Sequence, residues 1–166
     1  MTPALLLLAL AAAPGPTSAA DVERRRTEVA REILSLGPEL RREVVAEDAH
    51  ALAVRVPPDG LRCAGRTVPR ARVERDLRTP GAWLHDALFG GAAPARAGAP
   101  RSLAELLRGS SDVAMAVSFA KDPRAGDVGR PCLEFRAKDL AASAAPLCFE
   151  RRDGRWWLAE SLYPCG

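Results

Sequence analysis

The amino-acid sequence predicts an α+β domain, helices first and an antiparallel four-stranded meander last, on three observations. Four runs near the end alternate in character at period two: Asp112 to Phe119, Pro131 to Arg136, Pro146 to Arg151 and Arg155 to Tyr163. An Asp153-Gly154 pair separates the last two, the pairing best suited to a two-residue hairpin turn. Upstream, apolar residues recur three and four apart, the period of helices that cover a surface. Helices followed by strands is the order expected when helices pack on one sheet face.

Ahead of this domain, residues 1–20 have the pattern of a secretory signal. The apolar run Ala4 to Ala13 is shorter than the roughly 20 residues that cross a bilayer, and Pro14-Gly15-Pro16 and small residues follow it. Cleavage after Ala19 or Ala20 fits the small-x-small rule, although no Lys or Arg precedes the run. No Cys stands at the cut, so a lipid anchor is not expected. Residues 21–166 are expected to form one domain with no membrane span, in the periplasm or outside the cell.

Within that domain, Asp21 is placed to cap a first helix, with Val22, Val29, Ile33 and Leu36 at helical spacing. Gly37-Pro38 should stop it, glycine as a left-handed cap and proline opening a second helix from about Glu39 to Ala53. Pro57-Pro58-Asp59-Gly60 breaks the pattern, and residues 61–68 read as a small hairpin turning at Ala64-Gly65. Pro69 opens a short helix, Arg70 to Leu77. Thr79-Pro80 reads as the cap and first position of the next, which runs through Trp83, Leu84, Ala87 and Leu88 to Gly90-Gly91. Beyond a loop of Gly, Ala and Pro, Ser102-Leu-Ala-Glu105 has the spacing of a capping box, with Gly109 past the helix it opens.

The four cysteines, Cys63, Cys132, Cys148 and Cys165, are even in number, which in an exported chain favours two disulfides. No pair has the two-residue spacing of a zinc ribbon, and His50 and His85 stand alone, so no metal or cofactor is expected. Leu133 and Phe135 share one face of their run, as do Leu147 and Phe149 in theirs. Cys132 and Cys148 then share the other face of adjacent strands, where a cross-strand bridge fits, leaving Cys63 for Cys165. The net charge is +3 and almost wholly arginine. Arg24-Arg25-Arg26 is interleaved with Glu23 and Glu28 and lacks aromatic neighbours, the mark of a solvated helix face rather than a nucleic-acid binder.

Several stretches together resemble the NTF2-like superfamily, its small SnoaL-like and secreted members in particular. They are a charged N-terminal helix pair, the passage from Glu47-Asp48-Ala49 to Pro57-Pro58-Asp59-Gly60-Leu61-Arg62, a Pro-initiated helix, and the hairpin Phe149-Glu-Arg-Arg-Asp-Gly-Arg-Trp-Trp-Leu-Ala159. The resemblance implies a cone of curved sheet closed by helices around an apolar cavity, used for isomerase or cyclase chemistry, ligand binding or subunit assembly. Catalytic members place an Asp, His or Tyr inside the cone, and no residue here matches a family motif closely enough to inherit that role. The four cysteines depart from the cytosolic members and fit an exported one.

His50, near Asp48, and His85, beside Asp86, are the catalytic candidates, since histidine titrates near neutral pH. Close neighbours on a helix face apart, so neither His-Asp pair is expected to form a dyad. Ser110-Ser111-Asp112 lacks a Gly-x-Ser-x-Gly elbow, and Gly90-Gly91 lacks the Lys and Ser or Thr of a phosphate loop. The binding candidates are aromatic: Trp83, Trp156, Trp157 and Tyr163. Trp156 and Trp157 are adjacent in a strand, so one should enter the helix-covered core and the other lie on the opposite face with Cys148 or its neighbours, packed over a disulfide or a loop or else exposed as a contact surface. The sequence thus points to a non-catalytic binding or interaction module for a small apolar ligand or a protein partner, and admits a homodimer through the sheet. The alternative is a small cofactor-independent isomerase, cyclase or hydrolase with its site in the cone.

Overall fold

A computed structural model describes residues 18–63, 66–91, 102–139 and 142–159, and the account below concerns these. Its first element, α1 (Ala19–Val45), is one helix of 27 residues. Its cap is Ser18 rather than Asp21: the Ser18 hydroxyl accepts from the Asp21 amide at 3.1 Å. The expected stop at Gly37-Pro38 does not occur. Gly37 is buried against the sheet, where a Cβ would lie 2.3 Å from Met115 Sδ, so glycine here permits a close approach and does not end the helix. Pro38 faces outward, and its missing N–H costs one hydrogen bond in a helix held on both sides by buried Ile33, Leu40 and Val44. The helix instead ends at Val45, and Glu47 follows with φ 55°.

Asp48 then caps α2 (Ala49–Val54), its carboxylate accepting from the Ala51 amide at 2.9 Å. Arg55 ties this unit to α1. Its Nε and Nη2 reach the Glu43 carboxylate at 2.7 and 2.6 Å, and Nη2 reaches Glu39 at 2.7 Å. The hydrogen bonds to Glu43, opposed by burial and supported by Glu39, hold the guanidinium pKa above its ordinary value. The Arg55 carbonyl accepts from the Leu158 amide at 2.8 Å, so the same residue anchors the last strand.

A tight turn closed by Gly60 N donating to Pro57 O at 2.8 Å leads to the hairpin β1 (Leu61–Cys63) and β2 (Arg66–Val68), with Cys63 opposite Arg66. The expected turn residues 64–65 lie outside the described residues. α3 (Arg70–Arg78) follows the expected Pro69. Thr79 is the C-cap of α3 and not the start of the next helix. Thr79 O accepts from Ala82 N at 3.0 Å and Gly81 has φ 85°, a Pro-Gly turn of type II, and α4 (Trp83–Leu88) begins after it. Ser102 caps α5 (Leu103–Gly109), accepting from Glu105 N at 3.2 Å, and Gly109 is the helix's last residue rather than the one beyond it.

The sheet is antiparallel, with order β3 (Val113–Ala120), β4 (Arg130–Ala137), β6 (Leu147–Arg152), β7 (Arg155–Leu158); the two-residue β5 (Ala142–Ser143) pairs with β4. The Asp153-Gly154 turn is as expected, with φ 51° and 76°, the double positive φ that a two-residue hairpin turn needs. Leu133, Phe135, Leu147, Phe149 and Leu158 enter the core with residues of α1 to α5. On the opposite side Cys132 stands directly across from Cys148, and the two form a disulfide buried with Ala159. Cys63 is also disulfide-bonded, and its expected partner Cys165 lies outside the described residues. The chain is therefore α+β, with an N-terminal helix against an antiparallel sheet. Among the described residues no helix is long and apolar enough to cross a membrane.

Candidate functional site

A groove of about 670 Å³ opens between the first half of α1, the 3₁₀ turn Pro123–Val128 that joins β3 to β4, and the strands β4, β6 and β7. The pleat explains its floor: Phe149 and Trp156 point toward α1, where Val29 meets them, while Val128 and Pro131 close the side. Six arginines, Arg25, Arg62, Arg124, Arg130, Arg151 and Arg152, line its walls against four carboxylates, Glu28, Glu32, Asp122 and Glu150. The walls carry an excess of positive charge over an apolar floor.

Two ionic clusters hold this shape. On one wall Asp122 accepts from Arg130 Nε at 2.7 Å and from Arg124 N and Nε at 3.0 and 3.3 Å, with Arg130 Nη2 also bonded to it. Gly129 has φ 80°, and a Cβ there would meet the Ala120 carbonyl, so the turn folds tightly back on β3. Arg26 pins it to α1, donating to Val128 O at 3.0 Å and Asp127 O at 3.3 Å while lying 5.4 Å over the Phe119 ring. On the other wall Glu32 accepts from Trp156 Nε1 at 2.6 Å and faces Arg151 at 3.5 Å, and that guanidinium lies 5.4 Å over the indole. Arg152 reaches Asp59 at 2.8 and 2.9 Å and also bonds Glu150.

Burial raises the Asp122 pKa, but the bonds from Arg124 and Arg130 outweigh it and the net direction is downward from 3.8. The folded state therefore binds this proton less readily than the unfolded one. The stability this residue contributes is present above about pH 4 and is lost as pH falls through the lowered folded value. Asp122→Asn is expected to cost about 1–2 kcal/mol at pH 7. In urea titrations its gap from the parent should narrow below pH 4; a gap unchanged to pH 2 would contradict the pairing.

Of the candidate catalytic and binding residues named from the sequence, the groove gathers one, Trp156. Trp157 shares the opposite side with Cys148 as expected and is half-buried there, with Arg155 and Arg70 placed 4.2 and 5.7 Å over its ring. Trp83 is 52% exposed on α4, away from the groove. Tyr163 lies outside the described residues. His50 is exposed and its Nδ1 lies 3.0 Å from Glu74 Oε1, while Asp48 is taken up as a helix cap. His85 does contact its neighbour: Nδ1 is 3.2 Å from Asp86 Oδ1, against the expectation that neighbours face apart. At the start of a six-residue helix Asp86 is drawn back to accept from Gly81 N at 3.0 Å, which brings it beside the imidazole. His85 also meets Phe89 edge-on at 5.5 Å, and neither histidine lines the groove. Among the described residues no three His, Cys, Asp or Glu side chains gather as a metal site.

The sequence reading passed over Glu32 and Asp122, and took Val29 only as a core position of the first helix. Asp122-Pro123 carried a signal, an aspartate whose carboxylate bonds the amide two residues on, but spacing alone does not say that this turn faces α1. No family model matches the chain, and no curated protein and no solved structure matches it either.

Proposed function

We propose that the protein is an exported binding domain of the NTF2-like kind, and that its groove takes a small amphipathic molecule bearing a negative charge. The observation that carries this reading is an apolar floor of Val29, Phe149 and Trp156 beneath walls with six arginines and four carboxylates. A volume of about 670 Å³ suits a ligand of that size. The floor would receive an apolar body, and Arg25 and Arg62, exposed at the mouth, would meet the anionic end. Binding is favoured over catalysis because no histidine lines the groove and three of its four carboxylates, Glu32, Asp122 and Glu150, are engaged by arginine or tryptophan, not set to accept a substrate proton. The cysteine pairing supports an oxidising compartment.

The probe that tests this is the anionic dye 1-anilinonaphthalene-8-sulfonate, compared with neutral N-phenyl-1-naphthylamine. The anionic dye should bind saturably, one per chain, and more tightly than the neutral one, with the difference shrinking as salt rises. Val29→Trp fills the floor and should weaken it by about tenfold or more, with an unchanged circular dichroism spectrum. Equal binding of the two dyes would refute the charge preference. Undiminished binding by a folded Val29→Trp would remove the groove from the reading.

A further inference from the structure

β3 is an edge strand of the sheet, and among the described residues nothing pairs with its outer side. Exposed edges are usually blunted by charge, proline or a bulge. β3 has none of these: Val113-Ala-Met-Ala-Val-Ser-Phe-Ala120 is eight uncharged residues in unbroken register with β4. Met115, on its helix-facing side, is 38% exposed at a hollow of about 280 Å³ shared with Pro38, Val113 and Phe135 and rimmed by Arg41 and Arg42 of α1. Lys121, just past the strand, has no ion-pair partner among the described residues.

We infer that β3 pairs antiparallel with β3 of a second copy of this chain, across a two-fold axis through Ala116, joining two sheets into one. Two-fold symmetry restricts the register, because opposed residues must lie on the same face, and centring on Ala116 satisfies this. Val113 then faces Phe119 of the second copy, and Met115 faces Val117, on the side covered by α1. Ala114 faces Ser118, and the two Ala116 residues face each other, on the other side. Every pair within the strand is free of charge, and the exposed Met115 and its hollow are covered. Lys121 arrives opposite Ser111 of the second copy. There it meets Asp112, and Asp139, whose carboxylate accepts from Ser111 N at 3.0 Å. Lys121 thus joins a cluster of two carboxylates that one lysine, Lys138, already shares, and it does so twice by symmetry.

The chain has only two lysines, Lys121 and Lys138, and they test the register directly. Within one copy they stand beyond opposite ends of the strand, Lys138 beside Asp112 and so nine residue steps from Lys121, about 31 Å at 3.4 Å per residue. Between copies they are neighbours, because Lys138 Nζ lies 3.5 Å from Asp112. A short bis-succinimidyl cross-linker applied to the purified chain should yield a Lys121–Lys138 peptide only from the dimer band. Sedimentation equilibrium should show a dimer that Ala116→Lys weakens about a hundredfold by setting like charges on the axis. Ala116 is not in the groove, so dye binding by that variant should be unchanged and reports on folding separately. A monomer at all soluble concentrations, or a dimer yielding no such peptide, overturns the inference. So does a dimer that a folded Ala116→Lys leaves intact.

Discussion

Phe149→Ala is expected to lower the unfolding free energy by about 4 kcal/mol. The side chain is 1% exposed, stands opposite Leu158 in the β6–β7 register, and lies between the core and the groove. Its removal costs both the transfer of a large apolar group and the cavity left beneath α1, since a sheet tied to neighbours on both sides cannot collapse to fill it. Urea denaturation followed by far-ultraviolet circular dichroism measures this directly. A loss below about 1 kcal/mol would mean that the floor of the groove is not part of the core. Exposed Trp83→Ala is the control, and it should change stability by no more than about 0.5 kcal/mol.

Gly60→Ala should cost about 3 kcal/mol, an unusually large effect for one added methyl. Two causes add. The residue has φ 96°, a conformation that disfavours any Cβ, and the added carbon would lie 2.2 Å from the Val68 carbonyl oxygen. That neighbour is backbone held in the β1–β2 hairpin, so it cannot swing aside as a side chain would. Gly81 and Gly154 separate the two causes, because each has positive φ with nothing within 4 Å of a built Cβ. Gly81→Ala and Gly154→Ala should therefore cost about 1–2 kcal/mol, the conformational part alone. Denaturation midpoints for the three variants, measured side by side, give the contact contribution by difference. Equal losses at all three would show that the approach to Val68 carries no weight.

The features that were legible in the sequence are those whose cause is local. Asp153-Gly154 adopts the turn its residues favour, Ser102 caps the helix its spacing announced, and the alternation of Leu133, Phe135, Leu147 and Phe149 assigned both faces of the strands. The Cys132–Cys148 bridge followed from that assignment. Misreadings arose where a residue serves a distant partner. Gly37 looks like a terminus but is a contact with β3, and Thr79 looks like a beginning but closes α3. Glu43 and Arg55 lie 12 residues apart and no short pattern links them, yet they join α1 to α2. The groove was least legible of all, because its walls come from α1, from the turn after β3 and from β6–β7, with no sequence signal tying them together.

The disulfide has a further consequence through its position in the sheet. β4 and β6 are matched in register at two residue pairs only, Cys132 with Cys148 and Leu133 with Leu147. Without the sulfur link, the sheet is two hairpin-like halves meeting along a narrow seam. Arg130 and Pro131 of the groove belong to one half, and Phe149 and Trp156 to the other. The bridge is therefore a covalent rivet between the two jaws of the groove, added to the bonds by which Arg26 and Glu32 tie each jaw to α1. On the proposed reading of an exported binding domain, oxidation would follow translocation and complete the groove, and the ligand would be taken up outside the compartment of synthesis.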